Sequence, residues 1–176
     1  MPIPLGRVSS RSQSAEPADL LLECHDRIRQ HMRGAQALAA VAAGDPAVAP
    51  TAAAVHRYFD VALPLHSQDE DESVGPRLMD VLMCPGLEQS VKEMTRQHRD
   101  IEAVLARLLP LWKRLAETPE ALDDVRSALA RDTARLDALW VEHFDLEEDV
   151  VFPLIAERLD TDTRTRIVDE MRGRRK

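Results

Sequence analysis

Apolar residues recur at steps of three and four along four long stretches of this chain. Leu21, Ile28, Met32, Ala35 and Ala39 form the first stripe, and Ala52, Val55, Phe59 and Leu63 the second. The third is the most regular, with Val91, Met94, Ile101, Leu105, Leu108, Trp112 and Leu115. The fourth carries Val125, Leu129, Leu136, Trp140, Val150 and Leu154. This is the period of a helix buried along one face, and no stretch competes with strand-like alternation. Pro17 opens the first helix, and Gly44-Asp45-Pro46 closes it. The second helix begins near Val48, with Pro64 predicting a kink and Gly75-Pro76 interrupting it. Arg77 to Met83 adds a further turn or two before the loop Cys84-Pro85-Gly86. The third helix runs from about Leu87 to Ala116, bent at Pro110. Thr118 caps the fourth, which runs from Pro119 to about Leu159. Asp160-Thr161-Asp162 breaks the chain and caps a short last helix through Met171. The expected fold is all-α: an antiparallel up-down four-helix bundle with a short extra C-terminal helix. Residues 1–16 read as a flexible arm, 17–159 as the bundle, and 160–176 as the last helix and a basic, solvated tail.

Polar residues interrupt these stripes at regular places. His25 sits in the first, His66 and Glu70 in the second, His98 in the third, and His143 and Glu147 in the fourth. A carboxylate buried without a partner costs several kcal/mol or takes up a proton. Whole domains are stable by only about 5–15 kcal/mol, so six such residues need a compensating ligand. The order repeats: His, then His-x-x-x-Glu, and again His, then His-x-x-x-Glu. Aligning His66 with His143 places Glu70 on Glu147, Asp71 on Glu148, Val74 on Val151 and Pro76 on Pro153. On a helix the i and i+4 side chains share a face. Four imidazoles and two carboxylates in two-fold pseudosymmetry suit two metal ions, each taking two imidazoles, with the glutamates bridging.

Composition narrows the partners. The 176 residues carry a formal net charge of -8 and few aromatics, which argues against nucleic acid. Two cysteines, Cys24 and Cys84, are too few for a disulfide framework. No leader-like apolar segment and no membrane-length apolar run is visible. A cytoplasmic protein with free thiols is expected, and a homodimer is compatible with it.

The residues His25-Asp26-Arg27-Ile28-Arg29, His66-x-x-x-Glu70, Gln97-His98-x-x-Ile101 and His143-x-x-x-Glu147 with Val151-Phe152-Pro153 resemble the hemerythrin-like family, the HHE cation-binding domain. The resemblance spans roughly residues 20 to 157. It implies a four-helix bundle holding a non-haem di-iron centre, with zinc a weaker expectation. By carry-over, His25 and His66 would bind one iron and His98 and His143 the other, with Glu70 and Glu147 as bridges. Two departures stand out. Oxygen-carrying members have a further His one turn after the third-helix His, where this chain has Glu102; Glu102 lies beside the seam and is expected as a fifth protein ligand to the second iron, the alternative being a surface glutamate beside Arg99 and Arg107. Those members also place the fourth-helix carboxylate at the position of Glu148, whereas the repeated spacing favours Glu147.

Among the remaining candidates, His31 should face away from the seam, and Tyr58, Trp112 and Trp140 should pack. Cys24 adjoins His25 but points elsewhere. The resulting expectation is a protein that binds or senses a small molecule (oxygen, nitric oxide or peroxide) or iron itself. The alternative is a di-iron enzyme with oxidase, peroxide-reducing or ferroxidase activity, which a carboxylate ligand at Glu102 would favour.

Overall fold

A computed structural model of the chain describes residues 15–81 and 84–176. All its regular structure is helical. Helix α1 spans Pro17–Ala40 and starts, as expected, with Pro17 in its first turn. The second rod is segmented into α2 (Val48–Arg57), a π-helical turn (Tyr58–Ala62), α3 (Leu63–Gln68), a second π turn (Asp69–Val74) and α4 (Gly75–Val81). Helix α5 runs unbroken over Pro85–Glu117, with Pro110 inside it. A 3₁₀ turn (Pro119–Ala121) leads into α6 (Leu122–Leu146), a third π turn (Glu147–Val151) and α7 (Phe152–Arg158). Helix α8 (Thr161–Gly173) closes the chain. All but the last two residues of the arm expected over 1–16 lie outside the described residues, as does the end of the helical turn expected through Met83.

Helix α1 packs against α2 and α6, and α5 against α2 and α6, so the four long rods enclose a common interior. Two apolar clusters fill it. One gathers Ile28, Phe59, Ile101, Leu108, Trp112 and Trp140 with their neighbours. The other gathers Leu21, Val74, Met94, Val151, Ile155 and Ile167. On each rod a histidine sits where the stripe passes from one cluster to the other. His25 lies between Leu21 and Ile28, His98 between Met94 and Ile101, His66 between Leu63 and Val74, and His143 between Trp140 and Val151. The polar residues therefore form one layer sandwiched between two dry cores.

The π turns explain how three prolines are tolerated. In each, the first residue after the turn donates its N–H to the carbonyl five residues back: Leu63 to Tyr58, Gly75 to Glu70, and Phe152 to Glu147. Pro64, Pro76 and Pro153 follow directly. Proline lacks an N–H and clashes with the carbonyl four residues back, and a widened turn just ahead of it removes both conflicts. Gly75-Pro76 was expected to interrupt the second helix; instead the rod continues through it. At Gly75 a Cβ would stand a tight 3.1 Å from the Glu70 carbonyl oxygen, although the matching position of the third π turn holds Phe152.

Two further expectations need revision. Thr118 precedes the 3₁₀ turn without any hydrogen bond from its side chain to the turn. The basic tail is not simply solvated: Arg174 and Arg175 pair with the buried carboxylate of Asp69. Asp160 does cap α8 as expected, accepting from the Thr163 N–H at 2.7 Å. Among the described residues, no helix is long and apolar enough to cross a membrane.

Candidate metal centre

Six of the seven residues singled out in the sequence meet in the polar layer. His25, His66, Glu70 and Glu147 form one group and Glu70, His98, His143 and Glu147 another, with ligand atoms inside each lying within 4.8 Å of one another. All six are buried, and four of them are fully inaccessible. The helical phase explains the selection. His66 and His143 each end a three-residue step of their stripe, so the next inward position is four on, at Glu70 and Glu147. The carboxylate then stacks beside the imidazole.

The two glutamates are shared between the halves. Glu70 Oε1 faces His66 Nε2 at 3.4 Å while its Oε2 faces His98 Nε2 at 3.2 Å. Glu147 Oε2 faces His25 Nε2 at 3.0 Å, and its Oε1 faces His143 Nε2 at 3.1 Å and His98 Nε2 at 3.7 Å. Each carboxylate thus offers one oxygen to either histidine pair, the arrangement a bridging carboxylate requires. None of these approaches has hydrogen-bond alignment. The Nε2 atoms of all four histidines, Nδ1 of His66 and all four carboxylate oxygens are buried without a partner among the described residues. Native interiors leave few such groups, so a cluster of nine marks a place for a cation. Imidazole nitrogen and carboxylate oxygen are ligands that metal cations take up inside helical bundles.

Three of the imidazoles are gripped from outside through Nδ1. His25 Nδ1 meets Glu148 Oε1 at 2.7 Å, His98 Nδ1 meets Asp71 Oδ2 at 3.0 Å, and His143 Nδ1 meets Gln97 Oε1 at 3.1 Å. Such contacts fix the ring orientation and tautomer that leave Nε2 facing inward. Behind them, Arg29 supports Glu148 at 2.7 Å and Thr95 donates to Asp71 at 2.7 Å. Asp71 and Glu148 occupy matching places in the two copies of the motif. Their outer role was readable as a repeat, but Glu148 first looked like a rival to Glu147 for the bridge. Glu148 is only partly buried and points at His25 Nδ1, so it grips a ring rather than joining the central groups. Gln97, next to His98 in sequence, gave no periodic signal.

Electrostatics divide the six groups. Burial opposes charge on all four imidazoles. At His25 and His98 the surrounding carboxylates outweigh it, raising His25 and holding His98 well above the ordinary imidazole range. At His66 and His143 burial wins, pushing His66 far down and His143 to about 4. Burial, reinforced by the negative charge of Glu147, raises Glu70 to about 8. Glu147 is buried as deeply, but the imidazoles of His143, His25 and His98 keep its carboxyl below the usual range. A cavity that keeps one carboxylate ionised and the other protonated is poised to exchange protons for a cation.

The seventh residue stands apart. Glu102 is exposed and lines a surface pocket of about 240 Å³ with Phe59, Leu63, Ser67 and Leu105. Its place in the stripe accounts for this. His98 ends a four-residue step, so the next inward position is three on, at Ile101, and Glu102 turns outward. In the repeat, Glu102 matches Arg29, which likewise turns outward and supports Glu148 from the surface side. His31 lies away from the seam as expected, stacked on Tyr58 with ring centroids 4.0 Å apart. Cys24 is buried but not among the grouped ligands; its sulfur accepts from Arg27 at 2.9 Å.

Comparison with known families agrees with this geometry. The model of the hemerythrin HHE cation-binding domain matches residues 16–171, from just ahead of α1 to the last turns of α8. No curated protein matches the chain. With both motif copies and all four long rods inside the matched span, the chain belongs to the hemerythrin family of HHE cation-binding domains.

Proposed function

We propose that His25, His66, His98 and His143, with Glu70 and Glu147 shared between them, hold two non-haem iron ions inside an antiparallel four-helix bundle. In this reading the centre binds and reports a small molecule such as oxygen, nitric oxide or peroxide. The supporting observation is the set of eight inward atoms, four Nε2 nitrogens and four carboxylate oxygens, buried and unpartnered among the described residues, with each carboxylate facing both histidine pairs. Two carboxylates shared between histidine pairs in the core of a helical bundle are the pattern of non-haem di-iron sites, which supports iron over zinc.

When bound, an iron pair supplies Lewis acidity, redox capacity and coordination positions for a small ligand. The chain's own residues do the rest. Glu148, Asp71 and Gln97 hold three imidazoles with Nε2 inward. The apolar clusters above and below exclude bulk water, which strengthens electrostatic contacts inside. Oxidase or ferroxidase chemistry drew its support from a carboxylate ligand at Glu102. Its outward position removes that support, so binding or sensing is the favoured reading.

The test is optical. Protein loaded with ferrous iron without air, then exposed to nitric oxide or, after oxidation, to azide, should develop ligand-dependent absorption bands. His98→Ala should lose them. An iron-loaded protein whose spectrum is indifferent to all these ligands contradicts small-molecule binding.

A further inference from the structure

The C-terminal tail reaches the metal centre from outside. Asp69, the residue before Glu70, is fully inaccessible. Its carboxylate is held by two guanidinium groups from the chain's end: Arg174 Nη1 at 2.9 Å and Arg175 Nη2 at 2.5 Å. Arg174 also reaches Glu72 at 3.4 Å. One turn on, Ser73 donates to Glu170 at 2.6 Å, and Arg77 reaches the other oxygen of Glu170 at 2.6 Å. Ser73 lies in the π turn Asp69–Val74 and Arg77 just beyond it in α4. The chain's end therefore holds this turn at both its first residue, Asp69, and near its last, at Ser73, with Glu70 between them.

The second copy of the motif has no counterpart. Aligning the copies puts Asp69 opposite Leu146, which packs against apolar neighbours. A buried charge thus replaces an apolar side chain in one half only. An isolated buried carboxylate is costly, and a bidentate or paired guanidinium is the usual compensation. The cost is tolerated because the arginines that compensate it also tie the chain's end to the turn.

We propose that Arg174 and Arg175 act as a positioning clasp on the first half of the site. They hold the Asp69–Val74 turn so that Glu70 presents its oxygens toward His66 and His98. The proposal rests on the metal-binding reading above. Arg174 and Arg175 touch no ligand atom; they act through Asp69.

The test compares Arg174→Ala/Arg175→Ala with Arg172→Ala in the full chain, since Arg172 is exposed in the last turn of α8, next to the tail, and lies outside the clasp. Iron is loaded and then withdrawn by a graded series of chelator concentrations. The double variant should release both ions at affinities about 10- to 100-fold weaker, the scale of losing an outer-shell support, because Glu70 faces both histidine pairs. The Arg172→Ala protein should behave like wild type. Restoring charge with Arg174→Lys/Arg175→Lys should recover part of the loss. Unchanged affinity for both ions overturns the clasp. Amide hydrogen exchange on metal-free protein gives a reading independent of metal. The double variant should exchange faster over residues 69–74 and not over 147–151; unchanged protection at 69–74 overturns the proposal. A wild-type protein that takes up no iron would refute the metal reading, and the exchange result would still decide the clasp.

Discussion

The two halves of the site share a plan and differ in what holds it. In the first half, His25 leans on Glu148, which is backed by Arg29. In the second, His98 leans on Asp71, which is backed by the neutral hydroxyl of Thr95. His143 has Gln97 on its Nδ1, whereas His66 has no Nδ1 partner among the described residues. The bridging candidates diverge most: Glu147 is surrounded by three imidazoles and stays ionised, while Glu70 is pushed up to about 8. Sequence symmetry therefore sets which residues meet, and the shell around them sets how each is charged.

The largest expected effect comes from removing the ionised bridge. Glu147→Ala removes the buried carboxylate that faces Nε2 of His25, His98 and His143 and should cost the metal-free protein about 3–5 kcal/mol, the usual penalty for breaking a buried pair. Chemical denaturation checks it. Glu70→Gln should go the other way. Folded Glu70 binds its proton up to about pH 8, while in the unfolded chain it releases it near the ordinary carboxylate value of 4.5. Between these values the folded state holds more protons, so this group makes stability fall as pH rises. Glu70→Gln should therefore raise the melting temperature of metal-free protein at pH 8 and little at pH 4, while abolishing binding of the iron pair. Equal effects at both pH values would remove the assigned charge difference between the bridges.

The next contrast concerns the outer partners. Asp71→Asn and Glu148→Gln should each weaken iron retention about 10- to 100-fold. Glu148→Gln should lose less on adding salt, because Arg29 shares that site with the exposed surface. Competition with a chelator at two ionic strengths separates them. The smallest effect belongs to Glu102. Glu102→Ala should change stability by no more than about 0.5 kcal/mol, as exposed substitutions do, and leave iron content unchanged. Loss of an ion in this variant would restore Glu102 to the site.

The legible part of this molecule was its inward face. Histidines and glutamates standing on apolar stripes announced both the helices and the cluster, because a stripe records what faces the core. The phase of the stripe also bore on Glu102: His98 is followed inward by Ile101, three residues on, and carrying over the position of the oxygen carriers' further His overlooked that step. What the stripes did not record were contacts between rods. Asp71 grips His98 rather than a residue on its own helix, and Gln97 reaches across to His143. The π turns were hidden for a related reason. Pro64, Pro76 and Pro153 signalled trouble for an α-helix but not the widened turn that resolves it. The role of Asp69 depended on residues more than a hundred positions away.

The account stands most directly on metal stoichiometry. Native mass spectrometry of the iron-loaded chain should show two ions on wild type, lost together in Glu147→Ala because that carboxylate serves both. A single ion on wild type, or two ions that persist when Glu147 is removed, would contradict a shared, carboxylate-bridged centre.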